Sequence, residues 1–109
     1  METPNLNYIK GLADGDKAFE AKLIAVLKKE LPEELEEYLN NFQKKNFVKT
    51  AENVHKLKHK ISILGLTKGY EEAALYENDL RDQQEIRRHN SFVQIVKSMS
   101  DFLSLLKEE

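Results

Sequence analysis

Cysteine and tryptophan are absent from this chain, and its 109 residues include only two prolines and four glycines. Without cysteine there can be no disulfide and no thiolate metal site, and the composition fits a reducing compartment. No apolar run approaches the ~20 residues that a membrane-spanning helix needs. The opening METPNLNYIK has none of the apolar core of a signal peptide. A soluble cytoplasmic protein with no membrane contact is expected. Nor does either charge sign dominate: the formal charge is −2, so nothing points to a nucleic-acid partner. A chain of this length is expected to form one domain, residues 1–109, with a core that needs no staples.

What is there reads as helix. A short first helix is predicted from Leu6 to Ala13, ended by the turn signal Asp14-Gly15. Asp16 can cap a long second helix whose apolar residues Phe19, Leu23, Val26 and Leu27 keep 3–4 spacing. The pattern holds its phase past Pro32 through Leu35, Tyr38, Leu39 and Phe42, which predicts one kinked helix rather than two. A third helix is predicted from about Phe47 to Leu64, with Gly65 as its stop. Thr67 can cap a fourth, through Tyr70, Ala73, Ala74 and Leu80. The polar stretch RDQQEIRRHN reads as its frayed end plus a loop holding His89. Asn90 or Ser91 can cap the last helix, striped by Phe92, Ile95, Val96, Met99, Phe102, Leu103 and Leu106. The expected fold class is all-α: an antiparallel four-helix bundle with a short extra N-terminal helix.

Charge is unevenly placed along this pattern. From Lys44 to Gly69 there are seven lysines and one carboxylate, Glu52, whereas Glu30 to Glu37 holds five glutamates and no basic residue. Such blocks are commonly solvated faces. The basic block is of interest because it surrounds the string HKLKHKISILGL, residues 55–66. At about 100° per residue, Val54, Leu57, Ile61 and Leu64 point into the bundle. His55 lies on the shoulder of that stripe, with His59 and Ser62 along the same flank and Lys58 between flank and core.

Histidines four apart can chelate a metal. Here Lys56, Lys58 and Lys60 add positive charge beside any cation, His89 is remote, and Glu52 is the one carboxylate nearby in sequence. No metal is expected. No carboxylate falls within a helical turn of His55 on its exposed flank either, which suits a group carrier better than a hydrolase.

The string from His55 to Gly65 resembles the signature of histidine-containing phosphotransfer domains, the carrier modules of bacterial multistep phosphorelays. That family's pattern is roughly H-x-L-K-G-(S/A), followed by L-G. The phosphorylated histidine falls on His55, the leucine on Leu57, the lysine on Lys58 and the distal pair on Leu64-Gly65. The start Asp16 to Phe19 and the stretch ELPEEL extend the likeness over nearly the whole chain. Where the family usually carries a small glycine, this chain has His59, followed by Lys60 in place of a small residue.

The resemblance implies a phosphocarrier with no kinase activity of its own. His55 would take a phosphoryl group from a receiver-domain aspartate and pass it to another response regulator. Lys58 would neutralise part of the phosphoryl charge, and His59 would either assist or crowd the site. Lys56, Lys60 and Ser62 would face the partner, while Leu57, Leu64 and Gly65 are structural. The implied partners are response-regulator receiver domains and a hybrid histidine kinase. No cofactor is expected on this chain, since the Mg²⁺ belongs to the receiver, and a monomer is expected because one chain closes the bundle. Two alternatives stay open: a helical interaction module that is no longer phosphorylated, and a histidine metal-binding bundle.

Overall fold

The computed structural model describes residues 2–83 and 85–106, and among them all regular structure is helical. Five α-helices pack together: α1 (Asn7–Ala13), α2 (Lys17–Gln43), α3 (Phe47–Ile63), α4 (Thr67–Asn78) and α5 (His89–Ser104). α4 continues into a single π-helical turn, Asp79–Gln83. α3 is the hub, packing on α2, α4, the π-turn and α5. No described helix is long and apolar enough to cross a membrane.

The helix ends follow local chemistry. Asp16 caps α2 by accepting from the Phe19 N–H at 3.0 Å, and Asn46 caps α3 by accepting from Lys49 N–H at 3.2 Å. α3 stops in a Schellman motif: Gly65 N–H reaches Ser62 O and Leu66 N–H reaches Ile61 O. Gly65 has φ +79, and a Cβ there would collide with the Asn5 side-chain amide. Two constraints therefore meet on this glycine, the left-handed backbone and the close approach of the N-terminal segment.

Two caps differ from expectation. Thr67 does not cap α4; Leu66 holds the cap position with no side-chain bond. The donors are met from far away in sequence, because the Glu2 carboxylate accepts from Lys68 N–H at 2.9 Å and Gly69 N–H at 3.0 Å. α5 likewise begins at His89, ahead of Asn90 and Ser91, with Arg88 at the cap position and no side-chain cap bond. The stretch expected to be loop is thus partly helical at both ends, and Gln84 within it lies outside the described residues.

Helix α2 runs unbroken through Pro32. The proline contributes no N–H to the ladder. Lys60 of α3 spans the gap from outside, its Nζ 3.1 Å from Glu30 and 2.7 Å from Glu34. Burial alone would push the Lys60 pKa down, but hydrogen bonds to these two carboxylates raise it above the usual value. Leu31, beside the proline, is buried, while Phe19, Val26 and Leu39 are exposed. Phe19 lies beyond the reach of α3, because α2 has 27 residues against 17 in α3, about 40 Å against about 25 Å.

One cluster of buried residues joins the helices. It includes Leu27, Leu31 and Tyr38 of α2, Val54, Leu57 and Ile61 of α3, Ala73 and Tyr76 of α4, and Phe92, Val96, Met99 and Leu103 of α5. Leu64 and Leu66 close it beyond α3. Leu57 and Leu64 are both fully buried in this cluster, and they fix the helix face on which the 55–66 string stands.

Candidate functional site

Val54 and Leu57 are fully buried, and they hold α3 so that His55, between them, is turned outward. About half of its side chain is exposed. The ring is not free to spin. Its Nδ1 lies 3.2 and 3.3 Å from the two carboxylate oxygens of Glu77, on α4. Glu77 is buried and also takes hydrogen bonds from Lys58 Nζ at 3.0 Å and from Arg81 Nε at 3.2 Å. Burial alone would raise the Glu77 pKa, but the hydrogen bonds from Lys58 and His55 outweigh it, and its carboxyl sits below the usual range. An ionised carboxylate only accepts, so His55 Nδ1 carries a proton, and in the neutral ring the lone pair is on Nε2.

Nε2 looks away from Glu77 and lies 3.4 Å from Nε2 of His59. The two rings meet nearly edge to face, at 89°. His59 is exposed, one turn along the helix, and its ring stands beside His55 Nε2. Ser62 is exposed a further turn along the same flank.

The lysines sort differently from their sequence spacing. Lys58 is largely covered, pairing with Glu77 and lying over the Tyr70 ring at 5.5 Å from its centroid. Its charge serves the carboxylate behind His55. Lys60 is committed to Glu30 and Glu34 on α2, so it braces that helix. Lys56 is exposed, as are Lys44, Lys45, Lys49 and Lys68.

Glu77 and Arg81 complete a site that sequence reasoning left half built. The signal was present: Glu77 continues the buried line of Ala73 and Leu80, an unusual place for a carboxylate unless a cation faces it. Among the described residues no three histidine, cysteine or carboxylate groups cluster as a metal centre.

The third histidine has a different setting. His89 stacks on Phe42 with centroids 3.7 Å apart, and its Nδ1 lies 2.7 Å from the Tyr38 hydroxyl. That hydroxyl also meets the Tyr76 hydroxyl at 2.6 Å. Burial lowers the His89 pKa and raises those of both tyrosines. A neutral His89 accepts from Tyr38, which leaves Tyr38 to accept from Tyr76.

Comparison of the chain with models of known families, with curated proteins and with solved structures finds no match.

Proposed function

We propose that this protein is a phosphocarrier of the histidine-containing phosphotransfer type, with His55 as the acceptor. In this reading α2 to α5 form an antiparallel four-helix bundle with α1 as a small addition. One observation carries the reading: His55 is anchored through Nδ1 to an ionised carboxylate, while its Nε2 stands on the half-exposed flank of mid-helix beside the His59 ring. The chemistry follows from that geometry. The Nε2 lone pair attacks the phosphorus of a receiver's aspartyl phosphate, an N–P bond forms, the P–O bond breaks, and the aspartate leaves as its carboxylate. No proton has to leave Nε2, because the ring keeps its proton on Nδ1. Glu77 is a positioning residue that fixes the tautomer and stabilises the positive charge spreading over the ring during transfer. Mg²⁺ would come with the receiver, and this chain supplies in-line positioning. Exposed lysines, Lys56 among them, favour association with an acidic receiver pocket.

The test is incubation with a phosphorylated receiver or a small acyl phosphate, followed by intact mass. A single phosphoryl group should appear on the wild type, acid-labile and alkali-stable, and none on His55→Gln. Equal labelling of the two would overturn the assignment.

A second reading draws on the 3.4 Å between His59 Nε2 and His55 Nε2. If His59 blocks every in-line approach, the chain is a helical interaction module without phosphorylation. His59→Gly separates the two readings: a glycine variant that labels where the wild type does not identifies obstruction. It should cost only about 0.5–1 kcal/mol in helix propensity.

A further inference from the structure

His55 and His59 present the same ring nitrogen to one another, Nε2 to Nε2 at 3.4 Å. As a hydrogen bond that contact is long, beyond the usual 2.7–3.2 Å or so. As the bite of a chelate it fits. A metal ion bonded to two imidazoles at 2.0–2.1 Å in tetrahedral geometry holds their nitrogens about 3.3–3.4 Å apart. The two nitrogens already stand at that separation.

Two further features support the pair. Glu77 accepts the His55 Nδ1 proton, which leaves the lone pair on the nitrogen that faces His59. A carboxylate behind a histidine is the usual outer partner of a metal-bound imidazole, fixing its tautomer and raising its basicity. The charge objection also weakens. Of the lysines that argued against a cation, Lys58 is paired with Glu77 and Lys60 with Glu30 and Glu34.

We propose that His55 and His59 form a two-imidazole site for a divalent transition ion, zinc first, its remaining positions held by water. Imidazole selects zinc, copper and nickel over magnesium and calcium. Two protein ligands on an exposed flank make the ion exchangeable, unlike a closed structural centre with four. The ion occupies the nitrogen on which a phosphoryl group would sit, so metal and phosphoryl exclude one another. That last consequence rests on the phosphocarrier reading; the metal site does not.

The experiment is a calorimetric titration of zinc chloride into the unphosphorylated, tag-free full chain, with magnesium chloride as the comparison. Zinc should bind one ion per chain, and magnesium should give no heat at the same concentrations. His55→Gln and His59→Gln should each weaken zinc binding at least about tenfold, and Glu77→Gln about tenfold or more. Nitrogen NMR of the wild type should move the Nε2 signals of His55 and His59 and leave those of His89 in place. Unchanged affinity in both histidine variants, loss confined to one of them, or loss on His89→Gln instead would each overturn the chelate. In the labelling assay, zinc should suppress phosphorylation of the wild type and a chelator should restore it, while His59→Gln labels to the same extent with or without zinc. If zinc binds through both histidines and no variant ever labels, the phosphocarrier reading falls and the metal site stands; if wild type labels and zinc fails to bind, the metal site falls alone.

Discussion

His89 and His55 are placed by opposite means. Where α5 begins, His89 lies flat on Phe42 and ends a chain of tyrosine hydroxyls, in surroundings that favour its neutral form. On the flank of α3, His55 is held by a carboxylate that is itself held by Lys58 and Arg81, and half its ring faces water. Aromatic packing fixes the first ring; charge fixes the second. A histidine stacked on a ring and bonded through Nδ1 to a buried hydroxyl contributes to the fold. One anchored at a single nitrogen by an ion-pair network keeps the other nitrogen available.

The sharpest break in this comparison comes from exchanging which histidine is lost. His89→Ala should keep full labelling in the phosphotransfer assay while costing about 1–3 kcal/mol of stability, because it leaves the buried Tyr38 hydroxyl short of a partner. His55→Gln should do the reverse, with labelling abolished and the melting temperature nearly unchanged. If His89→Ala loses label while still folded, as judged by circular dichroism, the two regions are not separate.

Lys58→Ala comes next. A surface lysine would cost almost nothing, but this one is largely covered and neutralises a buried carboxylate. Arg81 and His55 remain as partners of Glu77, so the expected loss is about 1–3 kcal/mol, that of a buried acceptor losing one donor. Denaturant melts would show it as a lower midpoint at unchanged slope.

The pH dependence of stability should separate the regions along one axis. His89 has a depressed pKa in the fold, so the unfolded chain takes up its proton first, from about pH 6.5 downward. Its contribution is complete above that value and is lost as pH falls towards the folded pKa. Glu77 is also depressed, and its contribution is lost lower, below about pH 4.3. Melting temperatures between pH 7 and 5 should fall less steeply for His89→Gln than for wild type. Between pH 4.5 and 3 the flatter variant should be Glu77→Gln. An unchanged upper slope in His89→Gln would assign that loss to another group.

The smallest effect belongs to Lys56→Ala, an exposed position on α3. Stability should shift by no more than about 0.5 kcal/mol, while association with a receiver slows and loses part of its salt dependence. Stopped-flow association at two ionic strengths would read this.

The helices could be read from the chain because burial imposes periodicity: Val54, Leu57 and Ile61 recur at the spacing of one helix face and all are buried. Gly65 was equally legible, since its φ of +79 is what a helix stop asks of glycine. Contacts between distant segments leave no such trace. Glu2 caps α4 from 66 residues away, displacing the local candidate Thr67. Glu77 reaches His55 across 22 residues, and spacing along α3 gives no hint of it. His89 stood in a polar stretch that looked like loop, and only packing on Phe42 and Tyr38 places it half-buried against the core.

The Lys60 bridge over Pro32 has a consequence in time as well as in shape. A helix missing a ladder bond in its middle is a natural place for local opening. Here the two turns on either side of the proline are fastened to one ammonium group on α3. For that stretch of α2 to open, it must first let go of the helix that bears His55. The proline segment and α3 therefore belong to one cooperative unit, and amide protons around residues 28–36 should exchange with solvent on the schedule of α3 rather than earlier.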